Sequence, residues 1–285
     1  MDLLFLEVIS NIIAENNINR LNPEEVKLIK KIGNGSQSLV YLAEYLGSYV
    51  VKKQLIHFDM KCIIHELAIL SIIKHRRIPK FLGVILDESK SELSYVMSII
   101  TGKTLEEIDF NDLSYGLKIK IVKEISDIIT FIHANNCVHR DIKAENFMVD
   151  LNFNVYIIDF GFSKVLNDYN EIITRAKGSI NFASPDVFEV NSLTENGQIV
   201  SLVTPAVDVW GFACLISYIF SGIMPWKNKM KRDLDIQKAL VKKKEFPIPD
   251  NIKDIRIIEI IKLGTCINSK QRKKMSEIND LIQNL

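Results

Sequence analysis

Cysteine is scarce in this sequence, with four residues among 285. The four lie far apart and form no Cys-x-x-Cys pair or Cys/His cluster; they are Cys62, Cys137, Cys214 and Cys266. Such spacing argues against a disulfide scaffold and a structural zinc site. We therefore expect reduced, buried thiols in an intracellular protein.

An excess of charge of one sign is also lacking. Lysine and arginine together number 36 against 35 aspartates and glutamates, which leaves a net charge of +1. No global field attracts a polyanion. We expect no nucleic-acid partner on this ground, although a basic cleft can still exist on a neutral protein.

The sequence has no secretory signal at its start. Asp2 and Glu7 are acidic, and no basic residue precedes Arg20, whereas a signal peptide begins with a positive flank and an uninterrupted apolar stretch. Asp2 also excludes N-myristoylation, which requires glycine. We expect a cytoplasmic protein, with the nucleus left open.

Long apolar runs are absent apart from one. Residues 209–226 form a run of 18 residues without a charge, and this length is at the lower limit for a membrane-spanning helix. Gly222 and Pro225 end the helical part early, and Asp208 precedes it directly. The pattern favours a helix buried in a large core, so we expect no transmembrane segment.

Periodicity divides the chain near residue 100. Residues 3–16 have the apolar spacing of a helix, and residues 28–53 change to short β-branched runs with glycine, as in strands. Beyond residue 101 most segments are helical. The sequence predicts an α+β fold with a helical extension (1–27), a small strand-rich part (28–100) and a larger helical part (101–285).

The residues with the clearest chemistry lie in the larger part. Residues 139–146 read HRDIKAEN, and a strand-like run leads to Asp-Phe-Gly at 159–161. Asn146 and Asp159 offer oxygen ligands suited to Mg²⁺. Asp141 can orient a hydroxyl and accept its proton, and Lys143 can stabilise charge on a transferred phosphoryl group. This ordered set indicates metal-dependent phosphoryl transfer.

These two motifs resemble the signature of the eukaryotic protein kinases. The resemblance covers about residues 28–285 and implies a bilobal fold with a β-rich N-lobe (28–100) and a helical C-lobe (101–285). It also implies ATP and Mg²⁺ as cofactors and proteins as substrates. Lys143, two residues after Asp141, is typical of serine/threonine kinases, and residues 178–181 are similar to the tyrosine-kinase-like group.

Residues 32–40 resemble the glycine-rich loop, with Ser38 in place of the third glycine. Glycine lets backbone N–H groups approach phosphate closely. The resemblance assigns nucleotide contacts to Ile32, Gly33, Asn34, Gly35, Ser36 and Val40.

The segment at residues 49–52 is similar to the Val-Ala-Ile-Lys strand of these enzymes. Val50 and Lys52 share a strand face, so the resemblance implies that Val50 covers adenine and Lys52 reaches the phosphates. Glu66 is then the ion-pair partner of Lys52. Lys53 is the alternative, and Lys52 is preferred because the pattern has an apolar residue two positions before its lysine.

Residues 95–102 resemble the hinge between the lobes. The resemblance places Met97 at the back of the adenine pocket. It also implies that backbone groups near Ser98 and Ile100 bind adenine. Met148, from the C-lobe, completes the implied nucleotide contacts. Further along, Ser-Pro-Asp at residues 184–186 takes the place of the usual Ala-Pro-Glu. The resemblance implies that Arg272 is the ion-pair partner of Asp186.

Two alternatives to an active protein kinase remain. A pseudokinase is suggested by four departures from the pattern: Ser38, Ser98, Ser184-Pro185-Asp186 and Ala213. None of them removes a metal ligand, the proposed base or the anchoring lysine, so an active enzyme is favoured. A small-molecule kinase is the third reading, against which the apparent activation segment, residues 162–186, favours a protein substrate.

Regulation by an upstream kinase is a further hypothesis. Arg140 precedes the catalytic aspartate, where an arginine can receive a phosphate on the activation loop. Thr174 is the first candidate acceptor, followed by Ser163 and Tyr169, and an unmodified hydroxyl is the alternative for each.

Overall fold

The computed structural model describes residues 3–34, 38–56, 60–166, 179–188, 192–193, 199–200 and 204–285. The chain forms two compact units, one of Met1–Thr101 with Tyr156–Phe162 and one of Gly102–Val155 with Ser163–Leu285. The first is rich in strands and the second is mainly helical. The predicted α+β fold class, with a strand-rich N-terminal part and a helical C-terminal part, is confirmed.

The first unit is built on a five-stranded antiparallel sheet with strand order β1-β2-β3-β5-β4. Its elements are α1 (Leu3–Glu15), β1 (Val26–Asn34), β2 (Ser38–Tyr45), β3 (Ser48–Leu55), α2 (Met60–Ile72), β4 (Phe81–Asp87) and β5 (Glu92–Ser98). The central strand, β3, lies between β2 and β5, so both of its edges are paired.

The two faces of β3 carry different groups. Lys53 lies opposite Val40 on β2 and Tyr95 on β5, and directly opposed residues share a sheet face. Val50 and Lys52 point to the other face because side chains alternate along a strand. There Val50 is buried in a core cluster with Leu21, Val26, Ala43, Ile85 and Val96.

The N-terminal segment is part of the first unit. Helix α1 packs against α2 and buries its apolar stripe, which comprises Phe5, Ile9 and Ile13. The chain then follows the edge of β4, where Val84 donates a backbone hydrogen bond to Asn19 and accepts one from Leu21. A Cβ on Gly83 would lie 2.3 Å from the Asn19 carbonyl oxygen, so this approach requires glycine. The segment therefore packs on the strand-rich unit.

The remaining elements lie in the second unit, except that the last two residues of one strand, Tyr156 and Ile157, belong to the first. They are β6 (Lys103–Thr104), α3 (Tyr115–Ala134), β7 (Cys137–Val138), β8 (Phe147–Val149), β9 (Val155–Ile157), β10 (Lys164–Val165), β11 (Ser192–Leu193), β12 (Ile199–Val200), α4 (Ala206–Ser221), α5 (Asp233–Val241), α6 (Ile255–Gly264) and α7 (Met275–Gln283). The domain boundary falls within β9, whose first residue belongs to this unit.

Helix α4 is the centre of the second unit. Fourteen of its sixteen residues are buried, and it packs against α3 and α6. It ends at Gly222, which adopts the left-handed conformation (φ 70°) that favours glycine. The prediction of a buried helix in this apolar run is confirmed. Among the described residues, no helix combines the length and apolarity needed to cross a membrane.

A buried ion pair fixes the segment before α4. Arg272 Nη1 lies 2.7 Å from Asp186 Oδ2, as predicted from the sequence. The same guanidinium donates to the carbonyl oxygens of Cys266 and Ala206 and lies over the Trp210 ring, with 5.1 Å from Cζ to the ring centroid. Arg272 therefore joins the segment at Asp186 to α4 and to the turn before α7.

We expect Arg272→Ala to destabilise the second unit, because it leaves the buried Asp186 carboxylate uncompensated, at a cost of about 3–5 kcal/mol. Both tryptophans of the chain, Trp210 and Trp226, lie in this unit, so urea unfolding followed by tryptophan fluorescence reports on it. Arg256→Ala is the control, since it breaks an exposed pair with Asp254 and is expected to lose much less. Equal losses in the two variants would contradict the assignment.

Candidate active site

A lysine lies between two carboxylates in the first unit. Lys53 Nζ is 2.7 Å from Glu66 Oε1 and 2.8 Å from Asp159 Oδ1. Strand β3 positions the lysine, α2 positions the glutamate, and Asp159 begins the Asp-Phe-Gly motif. The backbone N–H of Gly161 donates to the same Asp159 oxygen, which holds that carboxylate toward the lysine.

Burial and charge act in opposite directions on this cluster. Burial by itself lowers the pKa of Lys53, but the charges of Asp159 and Glu66 outweigh it and raise that pKa above its usual value. The ammonium is therefore charged at neutral pH. Burial raises the pKa of Glu66, and the attraction of Lys53 offsets only part of this effect. Asp159 has a side chain 37% exposed, so it is the carboxylate of the cluster that remains accessible.

The predicted ion pair between Lys52 and Glu66 is wrong. Lys52 lies on the other face of β3, where its Nζ is 2.6 Å from Glu92 Oε1. The prediction relied on an apolar residue two positions before the lysine, but Val51 meets that condition for Lys53 equally well. The structure therefore assigns the partner of Glu66 to Lys53, which the sequence had left as the alternative.

The role predicted for Val50 is also wrong, because Lys53 and not Lys52 pairs with Glu66. Val50 is buried in the core on the face opposite Lys53, so it does not cover a nucleotide held beside Lys53. Val51 lies opposite Met97 on β5 and shares the Lys53 face, as does Val40. These three apolar residues are among those that the sheet places on the Lys53 face.

The other predicted nucleotide contacts of the first unit stay predictions. Ile32, Gly33 and Asn34 end strand β1, where Gly33 lies opposite Val40, whereas Gly35 and Ser36 lie outside the described residues. At the hinge, the N–H of Ser98 donates to the Lys80 carbonyl, and the Ser98 hydroxyl accepts from the Lys80 N–H. The Ser98 side chain is thus committed to Lys80, and Ile100 follows directly after β5.

In the second unit, three predicted residues converge. Asn146 Nδ2 donates to the backbone oxygen of Asp141 at 2.7 Å and to its carboxylate at 2.9 Å, and Lys143 Nζ lies 2.8 Å from the same carboxylate. A turn of 3₁₀-helix, Ala144–Asn146, returns the chain to Asp141. Because both hydrogen bonds of Asn146 use its nitrogen, its amide oxygen is the atom suited to a cation. Met148 follows on β8.

Asp208 holds the loop that carries Asp141, a role that the sequence interpretation missed. Its carboxylate accepts hydrogen bonds of 2.7 Å from the N–H groups of His139 and Arg140 and lies 2.9 Å from His133 Nε2. Arg140 has φ 69°, a left-handed conformation that costs a non-glycine residue about 1–3 kcal/mol. The carboxylate at the start of α4 therefore stabilises the strained backbone directly before Asp141.

The charge on Asp208 is retained despite complete burial. Burial acts to raise its pKa, but the hydrogen bond and charge of His133, followed by the charge and N–H of His139, outweigh burial and lower it. A sequence signal existed, because Asp208 directly precedes an uncharged run. A carboxylate at the start of a buried helix requires partners, and its partners had to come from elsewhere in the chain.

A cavity of about 470 Å³ lies beside Asp141 within the second unit. Its lining includes Arg140 and Asp141 from the loop, Ser179 from the segment before α4, and Asp233 and Leu234 from α5. The carboxylate that the sequence identified as a base therefore belongs to a loop that lines a space large enough for part of a peptide.

Replacing Asp208 with asparagine is expected to lower the free energy of unfolding at neutral pH by about 1–3 kcal/mol, since the charged acceptor is lost. The pKa of Asp208 is lowered in the fold from 3.8. Its stabilisation is therefore present above pH 3.8 and is lost as the pH falls through the lower pKa of the folded state. The difference between the wild type and D208N should be present at neutral pH and should shrink in acid as Asp208 becomes protonated.

Urea unfolding by tryptophan fluorescence at several pH values measures this difference. Glu259→Gln, which removes an exposed carboxylate, serves as the control and should show no such trend. A pH-independent gap between the wild type and D208N would exclude a charged Asp208.

The known proteins to which this chain is similar are protein kinases. The model of the protein kinase domain matches residues 26–284. "Probable serine/threonine-protein kinase kinX" of Dictyostelium discoideum is 25% identical over 81% of this chain and 21% of its own length. "Carbon catabolite-derepressing protein kinase" of Candida tropicalis is 29% identical over 75% of this chain and 34% of its own length. The chain thus spans about a fifth to a third of these relatives, and it belongs to the protein kinase domain family.

Proposed function

We propose that this chain transfers the γ-phosphate of Mg·ATP to serine or threonine hydroxyls of proteins. The observation that carries the proposal is the pairing of Lys53 with both Glu66 and Asp159. It provides a fixed cation for phosphate oxygens beside an accessible carboxylate that can bind a metal.

The donor groups fit the cofactors. Asp159 in the first unit and Asn146 in the second each offer a hard oxygen, the ligand type that Mg²⁺ prefers. When bound, Mg²⁺ neutralises phosphate charge and aligns the transferred group. Lys53 supplies a second cation for the phosphates, and its ion pairs keep it charged and oriented.

The residues that act on the hydroxyl that receives the phosphate lie in the second unit. Asp141 can accept the proton of the attacking hydroxyl, while Asn146 and Lys143 hold its carboxylate in place. Lys143 also provides positive charge for the transferred phosphoryl group. The lysine two residues after Asp141 and the names of the relatives favour serine and threonine as acceptors.

A pseudokinase is the second candidate, supported by the same four departures from the family pattern. Two of them are accommodated structurally. The Ser184 hydroxyl donates a hydrogen bond to Asp186, which keeps its pair with Arg272. Ala213 has room because residue 264 is glycine: a Cβ there would lie only 2.6 Å from the Ala213 Cβ. None of the four departures removes a proposed metal ligand, the proposed base or the anchoring lysine. We therefore favour the active enzyme.

Phosphorylation of the activation loop by an upstream kinase stays a proposal. Thr174 and Tyr169 lie outside the described residues. Ser163 is 5% exposed and its hydroxyl donates to the His139 carbonyl, so it is poorly placed to accept phosphate. Thr174 is the acceptor that we retain.

Incubation with Mg·ATP labelled at the γ-phosphate and a generic acceptor protein tests the proposed activity. We expect phosphoserine or phosphothreonine, and a loss of about 100-fold or more in Asp159→Asn, which removes the negative charge of a metal ligand. Asp280→Asn, at an exposed position, should retain the wild-type rate. A folded protein that binds Mg·ATP and transfers no phosphate would favour the pseudokinase.

The assignment of the anchoring lysine has its own test. Lys53→Met should abolish transfer, whereas the double variant Lys52→Met/Glu92→Gln removes the neighbouring pair without leaving a buried charge and should retain most of the activity. The measurements are the rate of transfer and the KM for ATP, with melting curves to confirm that both proteins are folded. Greater loss in the double variant would return the role to Lys52.

A further inference from the structure

Positive charge is concentrated around α5. Residues 227–245 contain eight basic and three acidic residues, a local excess of five charges, whereas the whole chain has a net charge of +1. Two of the basic residues are neutralised locally, since Lys227 pairs with Asp233 and Arg232 pairs with Asp235. The rest of the cluster is dominated by lysine.

Five of these lysines surround one recess of about 350 Å³, which we name the lysine recess. They are Lys229, Lys231, Lys238, Lys242 and Lys244. In the described part of the chain, none of the five has a carboxylate within ion-pair distance. The acid in the lining is Asp235, which is bound by Arg232. The recess therefore presents an excess of positive charge, which Asp235 offsets only in part by attracting Lys238.

Helix α5 separates this recess from the cavity beside Asp141. Asp233, Leu234 and Gln237 line the Asp141 cavity, whereas Asp235, Lys238 and Lys242 line the lysine recess. An α-helix is about 10 Å across, and an extended chain covers about 3.3 Å per residue. A peptide with its acceptor residue in the Asp141 cavity therefore reaches the lysine recess after about four to eight residues.

The helix surface between the two cavities suits a peptide. Leu234 is 55% exposed and Val241 is 58% exposed, so an apolar contact is available on the solvent side of α5. Ile236 and Leu240 anchor the opposite side in the core. The buried residues thus hold the helix in the second unit, while Leu234 and Val241 stay exposed.

We propose that the lysine recess binds an acidic segment of the protein substrate, about four to eight residues from the acceptor hydroxyl. This inference rests on the proposed function. A run of aspartate or glutamate side chains complements the five lysines, and the attraction raises the rate of encounter as well as the affinity.

The surroundings of the recess disfavour nucleic acid as the occupant. The two aromatic residues that flank this stretch, Trp226 and Phe246, are 1% and 7% exposed, so neither offers a face on which bases can stack. An anionic membrane is disfavoured because its headgroups form a plane, whereas these lysines surround a recess that side chains can enter.

Binding is measured first, independently of catalysis. A fluorescent peptide carries alanine at the acceptor position and, after a spacer of about six residues, a run of glutamates on either side; a matched peptide carries glutamines. Fluorescence anisotropy should show tighter binding of the glutamate peptide. The charge reversal Lys238→Glu/Lys242→Glu should weaken it by about tenfold or more at low salt, and added salt should reduce the difference.

Lys262→Glu/Lys270→Glu is the matched control, because it reverses the same number of charges at exposed positions of the same unit. It should leave the affinity within about twofold of the wild type. Equal affinity for the two peptides, or equal loss in the two double variants, would overturn the inference. So would displacement of the peptide by RNA or by anionic lipid vesicles that bind more tightly through Lys238 and Lys242.

Catalysis separates this inference from the proposed function. With serine restored at the acceptor position, the glutamate peptide should have the lower KM, and only the α5 variant should lose that advantage. Transfer to both peptides with equal KM would leave the kinase activity standing and reject the docking role. Lysine-dependent binding without any transfer would reject the activity and support the recess as an acidic-peptide site.

Discussion

The ammonium group of Lys53, held by Glu66 and Asp159, ties together three parts of the first unit that are distant in sequence. Strand β3 must keep its register between β2 and β5 so that Lys53 faces α2. Helix α2 must keep its position so that Glu66 reaches the lysine. Since α1 packs against α2 and the following residues bond to β4, the N-terminal segment stabilises the helix on which this ion pair depends.

The second unit also holds its chemically important segment through a buried charge, and here that charge is the Asp208 carboxylate. Asp208 binds two successive backbone N–H groups, so a carboxylate in the buried helix α4 holds the loop that carries Asp141. Complete burial makes this arrangement rigid, because losing either hydrogen bond would leave charge without solvation. Both units thus fix their reactive groups by compensating a buried charge, and in each the compensation comes from a segment far away in the chain.

The fold class and the residues of the HRDIKAEN segment were predictable because they follow from local pattern, and Arg272 with Asp186 followed from family resemblance. The identity of the paired lysine was not predictable from β3 alone. Val50-Lys52 and Val51-Lys53 satisfy the same alternation, and only the position of α2 on one side of the sheet and of Glu92 on the other distinguishes them. Asp208 was missed because its partners are backbone groups, which carry no sequence signal at His139 and Arg140.

The distribution of paired and unpaired charge supports a functional reading of α5. Among the described residues, the buried Lys52 and Arg272 have carboxylate partners, because leaving such a charge without its partner would cost about 3–5 kcal/mol. The lysines of the recess stabilise no such pair, and their mutual repulsion opposes folding. A cluster that contributes nothing to the core gains free energy when an anion enters the recess. In the docking proposed above, acidic residues of a substrate would supply that anion, and α5 would link their recognition to an acceptor beside Asp141.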